Sequence, residues 1–241
     1  MAEPVVIIGA TGAIGSAIAR RLAASGQALH LVARDEVKLS ALARELGAGS
    51  ATADVLDTAA LTAAVQRAGP RIAGLAFCVG SIVMKPLKRA TEADFMDAFR
   101  LNAVAGAMAF AAAADGLHAV PGSGVVLFST IAVRSGFANH AVIAAAKGAV
   151  EGLVLSLAAE LAPNTRVNCI APSLTRSGIA ASMTDNATLA RAIAAQHPIP
   201  RIGEPEDAAA LAAFLLSADA GWITGQVFAV DGGRSTVRTR G

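Results

Sequence analysis

The sequence predicts an α/β fold, a doubly wound, seven-stranded parallel sheet with helices on both faces, formed as a single domain over residues 1–241. Three observations predict it. Short runs of aliphatic and β-branched residues alternate with alanine- and leucine-rich stretches along the whole chain. Most of those runs are apolar without polar interruption, as parallel strands covered on both faces require. A glycine-bearing turn stands between the first apolar run and the first helical stretch.

Strands are expected at Val5–Ile8, Ala28–Val32, a weaker Ser50–Ala53, Gly74–Val79, Val125–Phe128, Arg166–Ile170 and Val227–Val230. After the first, Ile14, Ile18 and Leu22 recur every four residues, which is one face of a helix. Strand, helix, strand in this order gives parallel pairing with right-handed crossovers. The stretch 172–200 is irregular, with Pro172, Gly178, Pro198 and Pro200 around a helix-like Ala187–Gln196. Near the carboxyl edge of a sheet, such a segment is expected to be a lid over a pocket. The basic tail Arg234–Gly241 is read as a frayed terminus.

Composition excludes several functions. Hydrophobic residues make up 54% and charged residues 16%, which rules out a disordered chain. The net charge is +2, with no basic stripe or aromatic platform for nucleic acid. A mean hydropathy of +0.56 raises the question of a membrane. The uncharged run Leu101–Ala114 contains Asn102 and is shorter than the roughly 20 apolar residues a span needs. The run Gly116–Val133 is cut by Pro121, Gly122 and Gly124. The excess apolarity is therefore read as subunit interface or two-sided core burial, with no membrane partner. A strand and a glycine loop begin at once, where a secretory leader would need a charged and then an apolar region. Cys78 and Cys169 lie in apolar runs and read as buried free thiols of a cytoplasmic protein. No metal site is expected.

The loop Gly9-Ala10-Thr11-Gly12-Ala13-Ile14-Gly15 carries the first chemistry. Glycine permits a sharp turn and removes the Cβ that would strike a pyrophosphate. The helix that follows offers free N–H groups and a partial positive charge. Strand before and helix after make this a Rossmann dinucleotide site. The second strand runs into Ala33-Arg34-Asp35. Arg34 suits the 2′-phosphate of NADP(H), which is the preferred cofactor, while Asp35 one step later leaves NAD(H) open.

With these residues in hand, the chain resembles the short-chain dehydrogenase/reductase family over nearly its whole length. Asp54-Val55 matches the acidic-plus-valine pair after the third strand, which implies contact with the adenine. Asn102, with Gly106 four residues on, matches the asparagine of the family's fifth helix. Arg166-Val167-Asn168-Cys169-Ile170-Ala171-Pro172 resembles the sixth strand. The C-terminal runs Arg201-Ile202-Gly203-Glu204-Pro205-Glu206-Asp207, Phe214-Leu215, Ile223-Thr224-Gly225-Gln226 and Val230-Asp231-Gly232-Gly233 are characteristic. The resemblance implies cofactor contacts from the glycine loop, Val79, Gly80, Lys147, Pro172, Ser173 and Thr175. It also implies a homodimer or homotetramer, packed through the helix around Asn102 and the long helix after Ala138.

The departures concern catalysis. The family's tyrosine stands four residues before a lysine, here Lys147, and that position is Ile143. The chain contains no tyrosine at all. The family's serine falls on Thr130, with Ser129 beside it. The asparagine-rich motif after the fourth strand reads Phe77-Cys78-Val79-Gly80, the middle loop glycine is Ala13, and the usual glycine after Pro172 is Ser173. Carbonyl reduction needs a hydride and a proton, and isoleucine cannot donate the proton. Lys147 remains to hold the nicotinamide ribose, Thr130 and Ser129 to hydrogen-bond a substrate oxygen, and Asn102 to hold a water. His140 is the one replacement acid nearby, on a shared face with Ile143 and Lys147 if the helix already runs there. Its side chain would then lean away from Ile143, toward the helix N-terminus.

Two functions follow. One is an NADP(H)-dependent oxidoreductase with an altered proton donor, acting on a small carbonyl, alcohol or activated alkene. The other is a dinucleotide-binding protein without turnover, a sensor or partner subunit. The convergence of Lys147, Asn102 and Thr130 favours the enzyme.

Overall fold

A computed structural model describes residues 3–238. Its seven strands are β1 (Val5–Ile8), β2 (Leu29–Ala33), β3 (Gly49–Thr52), β4 (Gly74–Phe77), β5 (Ser123–Phe128), β6 (Thr165–Pro172) and β7 (Val227–Val230). They form one parallel sheet in the order β3-β2-β1-β4-β5-β6-β7. The chain order reverses between β1 and β4, and a crevice opens at that point beyond the strands' carboxyl ends.

The first five helices are α1 (Ala13–Ala24), α2 (Glu36–Leu46), α3 (Thr58–Gln66), α4 (Glu92–Phe99) and α5 (Ala105–His118). The others are α6 (Ala132–Ser135), α7 (Ala141–Leu161), α8 (Ala181–Thr184), α9 (Ala187–Ala194) and α10 (Pro205–Leu216). Successive strand residues face opposite layers, which explains the uninterrupted apolar runs. Val6 and Ile8 join Leu61, Leu117 and Val154 in one core, under α3, α5 and α7. Val5 and Ile7 join Ile18, Leu39 and Leu215 in the other, under α1, α2 and α10. The helix α7 is long and apolar enough by itself to cross a bilayer. Here Val150, Val154 and Leu157 bury one side of it on the sheet, so its apolarity belongs to the core.

Local chemistry sets the helix starts. Asp35 and Asp57 cap α2 and α3, and Thr91 with Asp94 forms a capping box on α4. Pro205 begins α10. The start of α1 is different. Gly12 occupies its cap position and no side chain bonds there.

Three expectations are corrected. The helix α7 begins at Ala141, so His140 is its non-helical cap residue, with φ −102° and ψ 7°, and shares no helical face with Ile143. Asn102 lies in a π-helical turn, Arg100–Val104, between α4 and α5. The tail is not frayed at its start. Gly232 and Gly233 adopt φ of +60° and +87° and turn the chain back, and the first tail residues are bonded to that turn, Arg234 N–H to Asp231 O at 3.2 Å and Val237 N–H to Gly233 O at 2.9 Å. The remainder of that tail, 239–241, lies outside the described residues.

Candidate functional site

The crevice holds a cavity of about 320 Å³. It lies over the carboxyl ends of β4, β5 and β6, under the segment 172–200. Ile14 of α1 and the loop after β4 form one wall, and Thr130, Ile143 and Lys147 another. Pro172, Ser173, Leu174 and Thr175 follow from β6. Ile179, Met183 and Ile193 close it from the irregular segment.

The glycine loop sits at one end, and close packing dictates its composition. Gly9 has φ +81°, and a Cβ on it would lie 2.9 Å from Val79 Cγ2. A Cβ on Gly15 would lie 2.3 Å from Gly9 O, which no side chain tolerates. Thr11, Gly12 and Ala13 thus lead into an uncapped helix start, where a pyrophosphate finds bare N–H groups. A dinucleotide fits this cradle. Arg34 is exposed and forms no ion pair among the described residues. Asp35 is engaged locally, accepting from Lys38 N at 3.0 Å and pairing with Lys38 Nζ at 3.2 Å. Asp54 accepts from Leu56 N at 2.9 Å just past β3, beside buried Val55.

Lys147 marks the other end. It is 7% exposed, and its Nζ donates to Phe128 O at 2.8 Å. Burial pulls its ammonium down to about 8. A Cβ on Gly80 would lie 2.9 Å from Asn102 Oδ1 and 3.1 Å from Lys147 Nζ. Glycine at that position is what lets the asparagine and the lysine approach. Asn102 Nδ2 donates to Ala98 O at 2.8 Å and to Ser81 Oγ at 3.2 Å, which fixes its amide. Asn102 stands behind the cavity wall rather than on it. Cys78 sits in the wall, and burial pushes its thiol up to about 12, so it stays protonated.

The remaining candidates separate. Thr130 lines the cavity, with Oγ1 accepting from Ala132 N at 3.3 Å. Ser129 also lines the cavity, but its hydroxyl is engaged within the protein, which departs from the expectation that it bonds a substrate oxygen. It donates to Glu151 Oε1 at 2.9 Å, and Glu151 pairs with Arg134 at 3.0 Å. A buried carboxylate needs such donors, and α7 places Glu151 directly behind β5. Ile143 is 3% exposed at the cavity wall and fills the position of the family's tyrosine. His140 does reach the cavity, because it precedes the helix. Its Nδ1 lies 2.7 Å from Ala138 O, so Nδ1 carries a proton and Nε2 is left as the reactive nitrogen.

Sequence reasoning missed two groups. His197 is buried, with Nε2 2.8 Å from Ser173 Oγ and Nδ1 2.9 Å from Ile193 O. Arg234 lines the cavity and lies over the Phe137 ring, 4.5 Å from its centroid. Nothing in the sequence marks His197, which depends on how an irregular segment folds back, and the one mark of Arg234 is the Asp231-Gly232-Gly233 turn before it.

The sequence of residues 9–235 matches the family described as enoyl-(acyl carrier protein) reductase. Galactitol 2-dehydrogenase (L-tagatose-forming) of Cereibacter sphaeroides is 37% identical over 238 residues, covering 94% of this chain and 92% of that protein. A short-chain type dehydrogenase/reductase from Mycobacterium ulcerans shares the fold with a TM-score of 0.91 at 29% identity, over 99% of this chain and 92% of that one. A gluconate 5-dehydrogenase from Burkholderia cenocepacia J2315, solved with NADP and tartrate, has a TM-score of 0.90 at 26% identity, over 98% and 96% of the two chains.

Proposed function

The chain belongs to the short-chain dehydrogenase/reductase family of oxidoreductases, and on that premise we propose that it is an NADP(H)-dependent reductase or dehydrogenase of a small carbonyl, alcohol or activated alkene, with His140 in place of the missing tyrosine. The observation that carries this reading is buried Lys147, which lines the cavity floor with Asn102 behind it, opposite an uncapped helix start. A charge in that position without a ligand is costly, and a ribose hydroxyl accounts for it.

When bound, NADPH supplies the hydride. The glycine loop holds the pyrophosphate, and free Arg34 holds the 2′-phosphate while Asp35 stays on its own helix. Val79, Gly80, Pro172, Ser173 and Thr175 shape the nicotinamide end. Lys147 donates to the ribose and keeps positive charge near the reacting centre. Thr130 donates to the substrate oxygen. His140, as imidazolium, gives the proton from Nε2 as a carbonyl becomes an alcohol, and as neutral base takes it back in oxidation. With an activated alkene, His140 would instead give its proton to the carbon adjoining the reduced one.

A titration of the protein with NADPH and NADH, followed by cofactor fluorescence, tests the cofactor. NADPH is expected to bind roughly ten-fold or more tightly than NADH, and Arg34→Ala to erase the difference. Turnover of carbonyls and enones, compared between wild type and His140→Ala, tests the donor. Full turnover in His140→Ala removes His140 from the mechanism. Buried Ile143 favours a second reading, a cofactor-binding protein without turnover; NADPH binding with no hydride transfer to any carbonyl or enone would establish it.

We also propose that the chain is a homodimer or homotetramer. Met96, Phe99, Val104 and Leu155 on α4, α7 and the turn before α5 leave apolar side chains exposed. Sedimentation equilibrium checks the assembly.

A further inference from the structure

The cavity is lined by two full cations, Lys147 and Arg234, and by His140, while none of its lining residues is an aspartate or a glutamate. Lys147 lies at the floor, bonded to Phe128 O. Arg234 is separate from it in origin and in support, and the established chemistry of hydride transfer gives it no task.

Its position is built rather than incidental. After β7, the Asp231 carboxylate accepts from Gly233 N at 2.9 Å and from Ser235 N at 2.8 Å. With both glycines in left-handed conformations, this turn aims Arg234 back into the crevice. The guanidinium then lies 4.5 Å above the Phe137 ring. Phe137 in turn meets His140 edge-on, with centroids 5.5 Å apart at 67°. One arm, Nη2, donates to Gln196 Oε1. These partners are an aromatic face and an amide, and neither neutralises the charge. Seven ion pairs occur among the described residues, and none includes Arg234. Burial pulls the Arg234 guanidinium below its ordinary value, and the Asp231 carboxylate, whose oxygens serve the turn, offsets only part of that.

A guanidinium carries five N–H donors in one plane. The guanidinium sits over the Phe137 face, and Gln196 takes one hydrogen of Nη2, so a two-donor edge, the other Nη2 hydrogen with its neighbour on Nε or Nη1, remains for a ligand. A planar fork of this kind matches a carboxylate. Ile82, Met84, Ile179, Met183 and Ile193 make much of the remaining wall apolar, and its other polar groups, such as Ser81, Thr130 and Ser177, are uncharged.

We infer that Arg234 is a specificity-determining residue that binds the carboxylate of the substrate, which is therefore an apolar oxo, hydroxy or unsaturated acid whose carboxylate lies away from the reacting carbon. This rests on the oxidoreductase reading, since it names the class of that enzyme's substrate. It also separates the ends of the ligand: Arg234 takes the anion, and Thr130 and His140 take the reacting end.

The probe is benzoate against benzamide, nearly equal in shape and different in charge. Their dissociation constants are measured by calorimetry on wild type, Arg234→Gln and Arg234→Lys, with and without saturating NADPH. Wild type is expected to bind benzoate roughly ten-fold or more tightly than benzamide, as a charge-assisted pair does over a neutral one. Arg234→Gln is expected to lose that preference, and Arg234→Lys to keep part of it as a charge without the fork. Melting temperatures of the variants check that the turn is intact. Equal affinity for the two probes in wild type, or no binding of either, overturns the inference. So does a preference that survives in Arg234→Gln, which would place the anion on Lys147. None of these readouts needs turnover. A protein that binds no NADPH yet discriminates benzoate through Arg234 would fail the oxidoreductase reading alone.

Discussion

The two ends of the crevice are built by different means. At the glycine loop the backbone does the work. Gly9 and Gly15 are required by contacts that a Cβ would violate, and an uncapped helix supplies the donors. At the substrate end the work falls to side chains gathered from distant segments: Thr130 after β5, His140 before α7, Ser173 after β6 and Arg234 after β7. Backbone geometry admits few substitutes, so the loop keeps its pattern. Side chains can be exchanged one at a time, and there the chain has isoleucine, cysteine and serine where the family has tyrosine, asparagine and glycine. The difference teaches that cofactor binding and substrate chemistry can be judged separately in this protein.

Breaking the backbone end gives the largest expected effect. Gly15→Ala puts a Cβ 2.3 Å from Gly9 O, so the loop must move. NADPH affinity should fall about 100-fold or more, and stability by about 1–3 kcal/mol, the usual cost of overpacking. Fluorescence titration and urea unfolding read the two. An unchanged NADPH affinity would mean the cofactor does not lie on this loop.

The substrate end is sharpened by adding what it lacks. Ile143 stands one helical turn before Lys147 and faces the cavity. Ile143→Tyr places a phenol there, beside an ammonium that favours its ionised form. Turnover should rise roughly 10-fold or more, with NADPH affinity kept. Steady-state rates with an enone and a ketone measure it. No rise in either would show that proton donation does not limit this site.

Lys147 joins the two ends, and its effect on cofactor binding is smaller. Lys147→Met should weaken NADPH by roughly 10-fold, the value of a charge-assisted hydrogen bond. In the cofactor-free protein the same change should stabilise, because it removes a buried charge. The sign follows from the lowered value of about 8 against an ordinary 10.5. Below pH 8 the ammonium is present in both folded and unfolded chains and its burial opposes folding. Between 8 and 10.5 the folded chain sheds the proton first, so wild-type stability rises with pH. The advantage of Lys147→Met should therefore shrink across that window, as melting curves from pH 7 to 10.5 would record.

The same contrast explains what the sequence let one read. The ends of β1 and β7 agree with expectation, and β2 to β6 differ by one or two residues at a boundary, because two-sided burial leaves uninterrupted apolar runs. The uncapped start of α1 was legible in Gly12 and Gly15. The π-turn that carries Asn102 was not, since its residues are ordinary helix formers. Arg234 was read as part of a loose tail, although Asp231-Gly232-Gly233 held the turn that aims it. His197 escaped because only the folded segment brings it to Ser173. Adjacent Ser129 and Thr130 could not be told apart, because both line the cavity and only the fold places Glu151 where the Ser129 hydroxyl reaches it.

That pair gives the smallest and most local prediction. Ser129→Ala removes a donor to buried Glu151, which keeps its pair with Arg134 at 3.0 Å. The expected loss is about 1 kcal/mol of stability, up to about 3 if no water replaces the hydroxyl. NADPH affinity should not change. Thr130→Val should do the reverse, leaving the melting temperature nearly fixed and lowering turnover, because its hydroxyl faces the cavity and serves no buried carboxylate. Thermal unfolding and initial rates on both variants suffice. If Ser129→Ala lowers turnover with no loss of stability, the hydroxyl at the end of β5 points the other way during catalysis, and the division between a structural serine and a functional threonine fails.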